Sequence, residues 1–334
     1  MSTPEVVLCN PVRTAIGAYN GSLKAIPATD LGATVVRETL RRSGLDAAAI
    51  GSVLMGNVVQ AGNKMNPARQ AAIGGGLPVS VPAMTVNRVC GSGAQAIVTA
   101  AQQIATGEVD VAIAGGMENM DRAPYLMDGG RWGYRMGPAE IHDSMLRDGL
   151  DDAFSGKHSG WHTEDLVTHA QLSRAAQDRF AERSQQRFGA AQKAGKFKDE
   201  IIAVEIRGKK GIEAFVADEA PRPDTTFEVL AKLRPAFRED GTITAGNAPG
   251  LNSGAAAMIV RLLDAVEMRP HPLIEAATLV CERQRPGGAV EQPGADARLE
   301  TRHRAAHGRC RQPERLRCSH YRPRFNDSGE DSHA

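Results

Sequence analysis

Short apolar runs alternate with helical patterns from residue 5 to about residue 120, and this alternation limits the chain to few fold classes. Strand-like segments are separated by amphipathic or alanine-rich stretches, and they read EVVLCN, SVLMGNVVQ, AMTVNRV and VDVAIAGG. The last run is apolar almost throughout, as expected for a strand that is covered on both faces. Strands that alternate with helices in this way predict a layered α/β sheet.

Several helix ends in this region carry recognisable signals. Asp30 is expected at or near the start of the helix DLGATVVRETLRRSG, and Gly44 at its end. Asn66 followed by Pro67 predicts the start of a second helix, because proline suits the first helical position. The segment SGAQAIVTAAQQIATG predicts a third helix, which ends at Gly107.

Composition excludes several classes of protein. The chain has 334 residues, 42% of them hydrophobic, and a net charge of +1, so no global charge favours nucleic acid or a membrane surface. Five cysteines in a chain of this length do not predict a disulfide framework. The first residues do not resemble a signal peptide, and no apolar run reaches the length of a membrane span. We therefore expect a cytoplasmic protein without a membrane or specific nucleic-acid partner.

Changes in composition predict three regions. Residues 1–120 and 246–268 are expected to form one α/β domain. Residues 121–245 are expected to form an inserted loop domain, with a long helical region over 163–195 and a loop-like segment KGIEAFVADEAPRPDTT. Residues 269–334 carry twelve arginines and no lysine, and this tail is expected to be disordered or to come from a shifted reading frame.

Cys90 lies between a predicted strand and a predicted helix, in the segment TVNRVCGSGAQAI. A helix N-terminus offers unpaired N–H groups and partial positive charge, which favour a thiolate and can stabilise an oxyanion. Gly91 and Gly93 leave room for a substrate. The segment therefore predicts a nucleophile for acyl transfer, while a buried structural cysteine is the alternative interpretation.

The segment NRVCGSGAQAI resembles the nucleophile motif of the thiolases. Further segments resemble thiolases in the family order, and they read PVRTAIGAYNGSLK, NVVQAGNKMNPARQAA, GGMENMDRAPYL, DGLDDAF, KLRPAF and TAGNAPGLNSGAAA. The resemblance covers residues 5 to about 264 and is closest to the short-chain acetyl-CoA C-acetyltransferase type. It implies the layered αβαβα thiolase fold, complete in its first half and loop domain, and an acyl-thioester on Cys90.

The resemblance also implies a set of residues that bind acyl-CoA and CoA. Leu150 would line the pantetheine channel, His158 would lie near the acyl end, and Arg222 would lie beside the adenine and phosphates. Ala245 and Ala248 would pack along pantetheine. The resemblance implies no metal or redox cofactor, because the CoA thioester supplies the activation, and it implies a homo-oligomer, either a dimer or a tetramer.

Two positions depart from the thiolase pattern. The motif HMG is replaced by His158-Ser159-Gly160, so that a methionine beside the acyl group is missing. Pro249 replaces a serine in the motif NASG and removes a backbone N–H. Both changes affect the expected affinity for CoA and the expected acyl preference.

The tail does not contain the remaining catalytic motifs of the family. A thiolase reaction also needs a histidine and a second cysteine, which the family carries in a GHPxGxxG loop and a CxG loop. The family also carries an NEAFA segment. Residues 265–334 contain none of these three motifs. We hypothesise a frameshift between about Leu262 and Arg285.

The alternative function is that of a catalytically dead thiolase remnant, which binds CoA or is acylated at Cys90 without completing turnover.

Two weaker interpretations concern the tail itself. Zinc-competent side chains occur there with a spacing that matches no known module, and they are His303, His307, Cys310, Cys318 and His320. The twelve arginines are compatible with non-specific binding of polyanions.

Overall fold

The fold is built on one mixed β-sheet with helices on both faces. The structure, a computed structural model, describes residues 5–208 and 211–262. The strands are β1 (Val6–Thr14), β2 (Gly17–Ala18), β3 (Ser52–Gly56), β4 (Ala83–Val86), β5 (Val111–Asn119), β6 (Tyr125–Leu126), β7 (His142–Asp143), β8 (Ile201–Ile202), β9 (Val204–Gly208), β10 (Gly211–Phe215) and β11 (Asn252–Leu262). The helices are α1 (Ala28–Ser43), α2 (Pro67–Gly74), α3 (Ser92–Ala105), α4 (Ser144–Gly149), α5 (Ser159–His169), α6 (Arg174–Lys193) and α7 (Phe227–Leu230).

The strands of the main sheet follow the order β4-β3-β5-β11-β1-β8, and β2 pairs with β11. Strand β3 runs parallel to β4 and β5, whereas β11 runs antiparallel to β5 and β1. Since parallel neighbours point their carboxyl ends to the same edge, the loops that follow β3, β4 and β5 meet at one edge of the sheet. Cys90 lies in the loop that follows β4.

Side chains alternate between the two faces of the sheet, as the pleat requires. On one face Val53, Ile113 and Ile259 pack with apolar residues of α1 and α2. On the other face Leu54 and Val260 pack with Ala96, Ala100 and Ile104 of α3. The described residues therefore form an α/β/α arrangement, and the layered α/β prediction is confirmed.

Most predicted helix ends are correct to within a few residues. Asn66 caps α2 by accepting a hydrogen bond from the backbone N–H of Arg69, and Pro67 is its first residue. Gly44 ends α1 in the left-handed conformation, with φ of 66°. Helix α1 begins earlier than predicted, directly after Pro27, so Asp30 lies in its first turn rather than at its cap.

Two predictions for the region of residues 121–245 are wrong. The helical region 163–195 consists of two helices, because Ser173 caps α6 through the N–H of Ala176 and Gln171 has a positive φ. The segment predicted to be loop-like from Lys210 contains strand β10, which pairs with β9 in a hairpin. The pairing partner, rather than local propensity, determines this strand.

Buried carboxylates fix helices α5 and α6 to the segment 242–247 that precedes β11. Glu164 on α5 accepts hydrogen bonds from the backbone N–H groups of Thr242 and Ile243, at 2.9 and 2.8 Å. Asp178 on α6 pairs with Arg174 and accepts a hydrogen bond from the amide of Asn247 at 2.9 Å. Strand β8 also pairs with β1 of the main sheet.

The exact domain boundaries remain a prediction. Of the described helices, none is both long and apolar enough to cross a bilayer.

Ile259 tests how tightly the central strand β11 is packed. It is fully buried between α1, α2 and the sheet. We expect Ile259→Ala to lower the free energy of unfolding by about 2–5 kcal/mol, and Ile259→Val by only about 0.5–1.5 kcal/mol, because the larger truncation leaves a cavity. Urea unfolding of both variants measures the difference. Equal losses in the two variants would show that the site relaxes and that the packing is loose.

Candidate active site

Cys90 is exposed and lies in the short connection between β4 and α3. Gly91 forms the N-cap of α3, and no side chain caps this helix end. The first turn of an α-helix leaves backbone N–H groups without intrahelical partners, and it carries partial positive charge. Cys90 therefore lies directly beside the N-terminus of α3, where the N–H groups of Gly91 and Ser92 donate to the carbonyls of Arg88 and Val89, at 3.1 and 3.0 Å.

The turn before Cys90 has an unusual backbone. Val89 has φ of 49°, in the left-handed region that β-branched residues avoid. Hydrogen bonds hold this conformation: the side-chain oxygen of Asn87 accepts from the N–H of Val89 at 3.0 Å, and the hydroxyl of Ser92 donates to the carbonyl of Val89 at 2.6 Å. A conformation of this kind costs about 1–3 kcal/mol and persists only where its surroundings enforce it.

Three glycines let the start of α3 lie directly on the sheet. A Cβ on Gly56 of β3 would lie 2.6 Å from the carbonyl carbon of Ser92 and 2.7 Å from the nitrogen of Gly93. A Cβ on Gly116 of β5 would lie 3.4 Å from the Cα of Gly93. The approach is therefore backbone against backbone, which fixes the position of the N-terminus of α3 and of Cys90 before it.

A cavity of about 400 Å³ opens beside Cys90. Its walls come from the ends of β3 and β5, the turn before α3, the end of α4 and the start of β11. The larger apolar side chains in its lining are Ile16, Val58, Val59, Val89, Met117, Met120 and Leu150. Arg13, Asn57, Glu118 and Asn252 add polar groups. The cavity can accept an extended apolar chain with a few polar atoms.

Glu118, at the end of β5, is a half-buried carboxylate in this lining. It accepts hydrogen bonds from the N–H groups of Val58 and Val59, at 2.8 and 3.3 Å, and from the amide of Asn57 at 2.8 Å. Burial raises the pKa of Glu118 above its ordinary value, and these donors offset only part of that effect. The carboxylate thus ties the loop after β3 to the end of β5.

Comparisons with known proteins agree with this geometry. Residues 6–262 match the family model described as "Thiolase, N-terminal domain". The chain belongs to the thiolase family. It is 52% identical over 257 residues to an acetyl-CoA acetyltransferase of Pseudomonas aeruginosa, a match that covers 77% of this chain and 65% of that protein.

Further relatives give the same result. The chain is 50% identical over 261 residues to a probable acetyl-CoA acyltransferase of Staphylococcus epidermidis, covering 78% of this chain and 66% of that protein. The crystal structure of the Bacillus anthracis acetyl-CoA acetyltransferase superposes with a TM-score of 0.76 at 38% identity, covering 78% of this chain and 66% of that one. The chain thus spans slightly less than two thirds of the length of these relatives, and the thiolase fold expected from its motifs is confirmed.

The structure brings two of the residues predicted for this thiolase chain to one cavity. Leu150 lines the same cavity as Cys90. His158 lies next to it, since the carbonyl of Leu150 accepts a hydrogen bond from the N–H of Ser159 at 2.8 Å. The ring of His158 stacks on Phe237 with centroids 4.7 Å apart, and its Nδ1 accepts from the N–H of Gly160. His158 itself is not part of the cavity lining.

The other three predicted residues lie on the region before β11. Arg222 is exposed, and its backbone N–H donates to the side chain of Gln185 at 2.7 Å. Ala245 is exposed and Ala248 is half-buried, in a loop whose fold depends on Asn247. These alanines and Arg222 do not line the cavity of Cys90, and their roles in binding CoA stay predictions.

The sequence patterns did not identify several polar residues of the site, namely Arg13, Asn57, Glu118 and Asn252 in the cavity lining and Asn87 beside it. The signal for Glu118 is present, because GGMENM places a carboxylate directly after an apolar strand. The tail residues considered as zinc ligands lie outside the described residues, and they are His303, His307, Cys310, Cys318 and His320. Within residues 5–208 and 211–262, no group of three or more His, Cys, Asp or Glu is arranged to hold a metal ion.

Gly56 tests the close approach of α3 to the sheet. A methyl group at this position meets backbone atoms of Ser92 and Gly93, so Gly56→Ala must displace the start of α3. We expect a loss of about 1–3 kcal/mol in the free energy of unfolding. We also expect slower alkylation of Cys90 by iodoacetamide in the folded protein. Gly44→Ala is the matched control, because the added methyl group there meets open space and its strained backbone is not near α3. An unchanged alkylation rate in Gly56→Ala would contradict the account.

Glu118 predicts a defined dependence of stability on pH. Because its folded-state pKa is raised above the ordinary value, the folded state holds the proton more tightly than the unfolded state. The resulting stability is present below about pH 4.5 and is lost as pH rises through the folded-state pKa. The difference in free energy of unfolding between wild type and Glu118→Gln should therefore shift against wild type as pH rises. Urea unfolding across this range measures it, and a constant difference would refute the assignment.

Proposed function

We propose that this chain is an acetyl-CoA C-acetyltransferase that forms or cleaves acetoacetyl-CoA, or another 3-ketoacyl-CoA, through an acyl-thioester on Cys90. The observation that carries the proposal is the exposed thiol of Cys90 at the N-terminus of α3, facing a largely apolar cavity. Thiolase relatives named for acetyl-CoA support the substrate class.

In the first step the Cys90 thiolate attacks the carbonyl carbon of acetyl-CoA. A bond forms between Sγ of Cys90 and the acyl carbon, the bond from that carbon to the sulfur of CoA breaks, and CoA leaves as its thiolate. Negative charge collects on the carbonyl oxygen in the transition state, and N–H groups at the start of α3 suit its stabilisation. Gly91 and Gly93 leave space for the carbonyl to approach.

In the second step the acetyl group moves from Cys90 to the α-carbon of a second acetyl-CoA. That carbon loses a proton and forms a carbon–carbon bond to the acyl carbon, while the Cys90 thiolate leaves. The product is acetoacetyl-CoA, and the reverse reaction is thiolysis by CoA. Each direction uses a base to move protons at the α-carbon.

We propose that the acyl end of the substrate lies in the cavity of Cys90, with Leu150 lining the pantetheine channel and His158 near the acyl end, beside that cavity. Leu150 supplies apolar contact for pantetheine, and the stacked pair of His158 and Phe237 forms the adjoining surface. Ala245 and Ala248 are proposed contacts further along pantetheine, and Arg222 a contact for the phosphates, since its guanidinium lies on an exposed residue. Arginine pairs readily with phosphate oxygens.

A second candidate function is acylation of Cys90 without turnover. Of the described residues that line the cavity, Cys90 is the only cysteine and none is a histidine. The acylated or CoA-bound protein would then be the end state. The two candidates differ in one measurable quantity, the number of acetoacetyl-CoA molecules consumed by each protein molecule.

Turnover separates the two candidates. With acetoacetyl-CoA and CoA, the proposed enzyme consumes many equivalents of substrate, and Cys90→Ala loses this activity because the acyl acceptor is gone. Loss of acetoacetyl-CoA absorbance measures the rate. Cys9→Ser, which changes the other cysteine among the described residues, is the matched control and should retain activity. Consumption that stops at one equivalent would select the second candidate, and activity in Cys90→Ala would refute both.

A further inference from the structure

A chain of hydrogen bonds joins Glu118 to the turn that carries Cys90. Glu118 accepts from the N–H of Val58 at 2.8 Å. The carbonyl of the same residue, Val58, accepts from the side-chain amide of Asn87 at 3.4 Å. The side-chain oxygen of Asn87 accepts from the N–H of Val89 at 3.0 Å. Glu118 is therefore linked to the residue before Cys90 through one loop residue and one asparagine.

A second link runs beside the first. The amide of Asn57 donates to Glu118 at 2.8 Å and to the carbonyl of Met117 at 3.2 Å. The backbone N–H of Asn57 donates to the carbonyl of Val86, the last residue of β4, at 3.1 Å. Both links start at one carboxylate and end on the two sides of Asn87. The end of β4 and the turn after it are thus held to β5 through the loop after β3.

The turn needs such support because its backbone is strained. Val89 is half-exposed and has a positive φ, so packing of its own side chain cannot hold it in place. Asn87 is exposed as well, yet it uses both ends of its amide to join Val58 and Val89. Glu118 in turn keeps Val58 where Asn87 can reach it. A partly buried carboxylate is a costly group to retain, which favours a role in the site rather than in packing.

We propose that Asn87 and Glu118 are positioning residues that hold the Cys90 thiol at the start of α3. The proposal deepens the function proposed above and rests on it for the role of Cys90 as nucleophile. Its test does not require CoA, because iodoacetamide reports on the thiolate of Cys90 directly. A failure of the proposed function would therefore leave this test intact.

The experiment measures the rate at which iodoacetamide alkylates Cys90 in the folded full chain, by mass spectrometry of the peptide that contains it. We expect Asn87→Ala and Glu118→Ala each to slow alkylation by about three- to tenfold, because the thiol moves away from the helix N-terminus. Glu118→Gln, which keeps an oxygen for Val58 and Val59, should recover most of the rate. Asn87→Asp keeps the acceptor for Val89 and should likewise recover part of it.

The double variant Asn87→Ala with Glu118→Ala supplies a further criterion. Residues that act through one chain of contacts show non-additive effects, so the double variant should be about as slow as the slower single variant. Glu164→Ala is the matched control, because Glu164 also accepts from two consecutive backbone N–H groups but lies on α5. It should lower the melting temperature and leave the alkylation rate of Cys90 unchanged.

Two results would overturn the proposal. One is alkylation within twofold of wild type in Asn87→Ala, a variant at an exposed position that keeps the test valid if Glu118→Ala fails to fold. The other is an equal loss of rate in Glu164→Ala, which would assign the effect to general destabilisation. If wild type alkylates normally but accepts no acetyl group from acetyl-CoA, the proposed function fails while the positioning role stands.

Discussion

The close packing of α3 on the sheet is the constraint on which the rest of the site depends. Gly56 lies beneath Ser92 and Gly93, where a Cβ would clash with their backbone atoms, and Gly116 lies beneath Gly93, where a Cβ would be in van der Waals contact with its Cα. Apolar burial further along α3, around Ala96 and Ala100, holds the helix against the same face. The N-terminus of α3 is therefore fixed at the edge of the sheet where the loops after β3, β4 and β5 meet, and Cys90 takes its place there.

Three half-buried or buried carboxylates among the described residues show the same kind of contact. Glu118 accepts from Val58 and Val59, Glu164 accepts from Thr242 and Ile243, and Asp218 accepts from Ile16 as well as from Arg13. In each case a carboxylate accepts from one or two backbone N–H groups of a segment that lies outside the strands. A charged acceptor makes stronger hydrogen bonds than a neutral one, which compensates for part of its desolvation. Glu118 and Asp218 in this way hold segments that line the cavity, at Val58 and Val59 and at Ile16.

Local sequence signals predict much of this fold, because they depend on a few neighbouring residues. Asn66-Pro67 and Gly44 mark helix ends correctly, and the position of Cys90 between β4 and α3 follows from the pattern around it. Strand β10 and the break at Ser173 were missed, since one depends on a partner strand and the other on a cap within a continuous helical pattern.

The site itself is only partly predictable, because its polar contacts join residues that are distant in the sequence. Glu118 and Val58 are 60 residues apart, and Asn87 and Val58 are 29 apart. The left-handed φ of Val89 has no local signal, since valine is among the residues that avoid it. Cys90 and Leu150 line one cavity, whereas His158 lies beside the cavity next to Leu150.

The central claim is that Cys90, held at the start of α3, is the group that receives an acyl group from CoA. Peptide mapping of the protein after a short incubation with isotopically labelled acetyl-CoA tests it most directly. The account predicts one labelled acetyl group per chain, on the peptide that contains Cys90, and removable by hydroxylamine as expected for a thioester. Label on another residue, or an unlabelled Cys90 peptide in a protein whose Cys90 reacts with iodoacetamide, would contradict it.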